Sequence, residues 1–115
     1  MEIRERQMDS GVTVVELEGT LVSGLESQQV ELRVDKLVRD GKKKIILVLT
    51  KVSYVDSAGI GILVGSLGRC KQGGGAMRLT GVRDHILHII KITRVDQVLP
   101  VDASLEEAEL KFGAA

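Results

Sequence analysis

Aromatic residues are almost missing from this chain: Tyr54 and Phe112 stand alone, and there is no tryptophan. Without aromatic faces there is no stacking platform for bases or sugars. Recognition must then rest on backbone, small polar groups and aliphatic surface. Cysteine occurs once, as Cys70. That excludes an intrachain disulfide and fits a reducing compartment. Its neighbours Arg69 and Lys71 are of the kind that lower a thiol pKa, but a half-buried structural thiol is the simpler reading. Net charge is zero, from 16 basic and 16 acidic side chains. The excess of lysine and arginine that a general nucleic-acid binder needs is therefore lacking. Lys42-Lys43-Lys44, the one tight basic run, reads as the solvated lead-in to a strand. No stretch approaches ~18 consecutive apolar residues, so no membrane span is expected. Met1 to Arg6 is charged and has no apolar segment of signal-peptide type, so a cytoplasmic location is expected.

What remains is ordinary soluble material. The chain has 115 residues, 43% of them hydrophobic and 28% charged, enough for one core and one domain spanning residues 1–115. Ile3–Met8 and Val12–Glu18 read as strands joined by the turn Asp9-Ser10-Gly11. Gly19 to Ser23 reads as a loop, although Leu21-Val22 is oddly apolar for one. From Gly24 to Asp40, Val30, Val34, Leu37 and Val38 mark one helix face, and Gly41 is a stop signal. Ile45-Ile46-Leu47-Val48-Leu49 is a continuous aliphatic run of the kind buried on both faces of a sheet. Thr50–Val55 reads as a connector. A helix then runs from Ser57 through Cys70 to the loop Gln72-Gly73-Gly74-Gly75. Ala76–Thr80 is a short strand and Arg83–Lys91 a third helix. Val95–Val101 holds a loop and a short edge strand limited by Pro100. Ser104 with Glu107 forms a capping box opening a last helix to about Lys111, and Gly113-Ala114-Ala115 is expected to fray. The order β-β-α-β-α-β-α-(β)-α predicts an α/β domain: a mixed sheet, its N-terminal hairpin followed by parallel strands, covered by about four helices.

The junction Asp56-Ser57-Ala58-Gly59 concentrates the interest. A serine at a strand-to-helix joint is a natural N-cap, with its hydroxyl beside unpaired backbone N–H groups. The helix it opens contains Gly59, Gly61, Gly65 and Gly68, and an interior glycine costs roughly 1 kcal/mol relative to alanine. At 3.6 residues per turn, Ile60, Leu63, Val64 and Leu67 form the expected core stripe, Gly61, Gly65 and Gly68 an adjacent bare stripe, and Ile62 an exposed position. The bare stripe admits a close neighbour, either the Arg83–Lys91 helix or a docking partner. Gly59-Ile60-Gly61 misses the dinucleotide fingerprint in spacing and in its place relative to the strand. Gly61 and Gly65 match a membrane G-x-x-x-G, but the apolar stretch is too short. A nucleophile elbow fails because position 55 is Val. His85 and His88 lack a third metal ligand and read as surface histidines. No catalytic residues and no metal are assigned, and the chain is not read as an enzyme.

Three segments carry a family resemblance. They are Leu17-Glu18-Gly19-Thr20-Leu21; Ile45–Leu49 with Val52-Ser53-Tyr54-Val55-Asp56-Ser57-Ala58-Gly59-Ile60-Gly61; and Ile92–Val101 with Ser104-Leu105-Glu106-Glu107-Ala108. Over roughly Glu2 to Leu110 the chain resembles a stand-alone STAS domain, the class named for sulphate transporters and anti-sigma-factor antagonists. The resemblance implies a bacterial partner-switching phosphoprotein that regulates transcription. An anti-sigma factor with serine kinase activity phosphorylates the motif serine, unphosphorylated antagonist binds that factor and frees sigma, and a serine phosphatase resets the switch. Carried over, Ser57 is the phosphoacceptor. Asp56, Ala58, Gly59, Ile60, Gly61 and Ile62, with Thr20, Val22 and Ser23 of the first loop, form the partner surface. ATP or ADP would be bound by the partner, and no cofactor is implied for this chain. One position departs from the pattern: Val22 stands where the family usually has aspartate. That departure favours an alternative, a STAS scaffold or regulatory subunit of a transport or signalling complex in which Ser57 is not phosphorylated.

Overall fold

The computed structural model describes residues 1–113. β1 (Glu2–Gln7) and β2 (Thr13–Leu21) form the N-terminal hairpin, followed by α1 (Leu25–Arg39), β3 (Lys44–Val55), α2 (Ser57–Gln72), β4 (Ala76–Thr80) and α3 (Asp84–Ile92). A short 3-10 turn at Val95–Gln97, β5 (Val101–Asp102) and α4 (Leu105–Gly113) complete it. The five strands lie in sequence order in one sheet, β1 antiparallel to β2 and all later pairs parallel. The expected α/β architecture with four helices and a mixed sheet is what forms. Gly113 closes α4, while Ala114 and Ala115, the rest of the segment expected to fray, lie outside the described residues.

The aliphatic run of β3 explains the layering. Ile45, Leu47 and Leu49 join the large core with Val30 and Val34 of α1, Leu63 and Leu67 of α2, and Ile86 and Ile90 of α3. Ile46, one residue out of phase, belongs to a smaller core with Val12, Ala108 and Phe112, so α4 covers the opposite face. Period-two alternation with both faces covered is why this strand reads as unbroken aliphatic sequence.

Two expected boundaries move, for one shared reason. Thr50–Val55 is not a connector but the second half of β3, and the segment Gly19–Leu21 is not loop but the end of β2. The pairing of β2 with β3 shifts register between Glu16 and Glu18 and again between Gly19 and Thr20. Each shift adds a residue to β3 and turns its inward face by one position. Leu49, Val52 and Val55 therefore all point into the core although they are three apart. Leu21, the apolar residue that looked misplaced in a loop, is fully buried at the strand end.

The rotation of α2 also differs from expectation. Ile62, expected to be exposed, is buried, and Val64, assigned to the core stripe, is 37% exposed. The helix meets two neighbours, the sheet and α1, so its buried arc, from Ile62 through Ser66, Leu63 and Leu67 to Ile60, is about 160° wide at 100° per residue. The expectation allowed only for the sheet. The neighbour across Gly65 is α1, not α3: a Cβ there would strike the carboxylate of Glu31.

Candidate functional site

The register of β2 on β3 builds the site. Thr20 pairs with Tyr54 and Leu21 with Val55, so the two strands end side by side. The chain then turns into α2 on one strand and into the Val22–Gly24 loop on the other. The Leu21 carbonyl accepts a hydrogen bond from the Asp56 amide at 3.3 Å and ties the two exits together. A Cβ at Gly59 would overlap that same carbonyl and the side chain of Val55. Glycine at this position is what lets the first turn of α2 sit directly on the end of β2.

The helix cap is Asp56, not Ser57. Asp56 has an extended backbone, and its carboxylate accepts the Gly59 N–H at 2.9 Å. Its carbonyl accepts the Ile60 N–H at 3.0 Å, which closes the first turn. The two candidates differ by one residue; the backbone path out of β3 puts Asp56 at the capping position, where its carboxylate also complements the helix dipole. Ser57 becomes the first helical residue, exposed and with a hydroxyl that caps nothing. The N–H groups of Ser57 and Ala58 have no partner within the helix turn.

Across from Ser57, the Val22 amide donates to the Ser27 hydroxyl at 3.0 Å. Ser27 is buried in the first turn of α1 and holds the loop against the helix that follows. Gly24 precedes α1 with a φ of 139°, in the region that favours glycine. Thr20 and Ser23 are exposed and Val22 is half-buried.

Of the residues assigned from sequence, Thr20, Ser23, Ser57, Ala58 and Gly61 thus lie on the surface at this end of the molecule. Asp56 and Val22 are half-buried beneath them. Gly59, Ile60 and Ile62 are buried and fix the helix in place. Sequence reasoning missed Ser27 and the pair formed by Glu31 on α1 and Arg69 on α2, 2.9 Å apart. The signal for Ser27 is a serine one turn into an apolar-periodic segment. No local pattern announces the Glu31–Arg69 pair, because its partners are 38 residues apart.

Other candidate chemistry lies elsewhere. Cys70 is buried, and burial pushes its thiol above the ordinary value. Its charged sequence neighbours do not activate it. His85 and His88 are exposed on α3, with the His85 ring 3.0 Å from the Ser53 carbonyl. Among the described residues no cluster of three His, Cys, Asp or Glu side chains has the form of a metal site, and no helix is long and apolar enough to cross a membrane.

The architecture defines a five-stranded α/β module with an exposed serine heading the helix after its central strand. The chain belongs to the STAS domain family, whose model matches residues 4–108. The anti-sigma-B factor antagonist of Staphylococcus aureus is 34% identical over 68 residues, 59% of this chain and 63% of that protein, so the match spans less than two thirds of the relative. A Thermotoga maritima protein described as a proposed anti-sigma factor antagonist superimposes with a TM-score of 0.82 at 22% identity, over 95% of this chain and 92% of that one. The phosphorylated form of the Bacillus cell fate determinant SpoIIAA superimposes with a TM-score of 0.70 at 18% identity, over 96% and 99% of the two chains. At these identities the solved structures establish the fold.

Proposed function

We propose that this chain is an anti-sigma-factor antagonist, switched by phosphorylation of Ser57. Unphosphorylated, it docks on a kinase-type anti-sigma factor through the start of α2 and the Thr20–Ser23 segment, and so frees a sigma factor. The kinase uses its own bound ATP, and a serine phosphatase restores the hydroxyl. The reading is supported by the family, by the antagonist name of the Staphylococcus aureus relative and by the geometry of the first turn.

One observation carries it: Asp56 does the capping, which leaves the Ser57 hydroxyl exposed and without a structural task. A phosphate adds about −1.5 to −2 charges and three acceptor oxygens. At the head of α2 it meets the free N–H groups of Ser57 and Ala58 and the positive end of the helix dipole, so the domain tolerates it. In a protein interface beside Asp56 the same charge must be desolvated against a like charge. Phosphorylation then abolishes docking and leaves the fold intact.

The test is incubation with kinase-type anti-sigma factors and ATP, followed by mapping of phosphate by mass spectrometry. Modification at Ser57, absent in Ser57→Ala, is expected. A second reading, a STAS scaffold or regulatory subunit in which Ser57 stays unmodified, has Val22 in its favour. That half-buried aliphatic side chain stands where the family pattern places an aspartate. If no kinase-type anti-sigma factor modifies Ser57, the scaffold reading replaces the switch.

A further inference from the structure

A cleft of about 360 Å³ runs between α1 and α2, walled by Gln28 and Leu32 on one side and Ala58, Gly61 and Ile62 on the other. It begins at Ala58 and Ser23, beside Ser57, and reaches Glu31 and Arg69 three helical turns further along α2. Leu32, on its wall, is 53% exposed, and Leu25, seven residues earlier on the same face of α1, is 78% exposed.

Gly61 gives the cleft its depth. The glycines on either side of it along α2 have reasons within the chain: Gly59 lies against the Leu21 carbonyl and Gly65 against Glu31. A Cβ at Gly61 would meet nothing within 4 Å. Nothing in the isolated domain therefore requires glycine there, although a helix interior disfavours it.

We propose that this cleft receives a helical turn of the same anti-sigma factor, with an aliphatic side chain seated over Gly61 between Leu32 and Ile62. The proposal rests on the function proposed above and extends it from the Ser57 end onto α1. The occupant is that partner because the cleft is continuous with the switch: a segment seated at Ala58 and Ser23 passes directly beside the Ser57 hydroxyl. An aliphatic anchor fits because Leu32 on the wall is uncovered and the charges of Glu31 and Arg69 at the far end already neutralise each other. Gly61 is then a specificity-determining residue, since any side chain occupies the volume that the partner needs.

The experiment is titration of wild type, Gly61→Ala, Gly61→Leu and Gly68→Ala against the anti-sigma factor that phosphorylates the chain, with thermal unfolding of each variant. Gly68 also has no neighbour within 4 Å of a Cβ, but it lies outside the cleft, so it reports the effect of a stiffer α2 alone. The expected result is a melting temperature no lower than wild type for both alanine variants. Affinity should fall about tenfold for Gly61→Ala, further for Gly61→Leu, and not at all for Gly68→Ala. Equal affinity of wild type and Gly61→Leu overturns the cleft and leaves the antagonist reading standing. Equal losses at positions 61 and 68 assign the effect to helix stiffness and also overturn it. A wild-type chain that binds no anti-sigma factor overturns the antagonist reading and the cleft with it.

Discussion

Gly59→Ala adds one methyl group to the first turn of α2, and the structure gives that methyl nowhere to go. Its position overlaps the Leu21 carbonyl oxygen and carbon and crowds Val55 Cγ1. The carbonyl cannot swing aside freely, because it accepts the Asp56 amide and ends a strand paired to β3. Two effects oppose each other. Alanine is favoured over glycine in a helix interior by roughly 1 kcal/mol. Overpacking against rigid backbone costs about 1–3 kcal/mol, and a weakened Leu21–Asp56 hydrogen bond adds about 1 kcal/mol. The net expectation is a destabilisation of about 1–3 kcal/mol by those same ranges. Urea denaturation measures it as a fall in the transition midpoint with an unchanged slope. The same substitution at Gly61, where a Cβ meets nothing, is expected to be neutral or stabilising. Opposite signs two residues apart are the signature of a backbone contact at Gly59. A Gly59→Ala variant as stable as wild type would mean instead that α2 does not sit on the end of β2.

Two further outcomes follow from the electrostatics. Asp102 on β5 has a fully buried carboxylate that accepts from Arg78 Nε at 2.6 Å and from Lys111 Nζ of α4 at 2.8 Å. Burial alone would raise its pKa, but the hydrogen bonds and charges of Arg78 and Lys111 outweigh it and hold the group below the ordinary carboxylate value. Breaking a fully buried pair costs about 3–5 kcal/mol, and Arg78 and Lys111 keep some access to water, so Asp102→Asn is expected to cost ~2–3 kcal/mol near neutral pH. A depressed pKa contributes stability above the unfolded value of about 4 and loses it as pH falls through the folded one. The gap between wild type and Asp102→Asn in thermal melts should therefore close in acid below about pH 4, and a gap that persists there contradicts the assignment. Ser57→Asp should leave the melting temperature within a few degrees of wild type, because the hydroxyl caps nothing and a carboxylate suits the helix start. Collapse of that variant would assign Ser57 a structural role instead.

Much of this was legible in the sequence because the signals were local. The run Ile45–Leu49, the hairpin turn at Asp9-Ser10-Gly11 and the capping box are each contained within a few residues. The serine half of the box is realised, with the Glu107 amide donating to the Ser104 hydroxyl at 3.1 Å. What failed depended on partners far along the chain. The second half of β3 hid because two register shifts against β2 broke its alternation, leaving core residues at a spacing of three. The orientation of α2 is set by α1 as well as by the sheet, and the local spacing of α2 carries no mark of that second neighbour. At the site, the sequence places the cap on Ser57, whereas Asp56 holds it. Two adjacent residues of equal capping ability are separated only by the backbone path out of β3, which residue type does not encode. That correction matters functionally, since it is the reason that the serine hydroxyl is free.

The proposed switch requires that phosphate on Ser57 change binding and not folding. It is tested most directly by measuring the affinity of one kinase-type anti-sigma factor for the unphosphorylated chain and for the chain phosphorylated at Ser57, under the same conditions. Desolvating the added charge at the head of α2 beside Asp56 is expected to cost ~3 kcal/mol, more than a hundredfold in Kd, with both forms equally folded. Equal affinities for the two folded forms would rule out Ser57 as the switch.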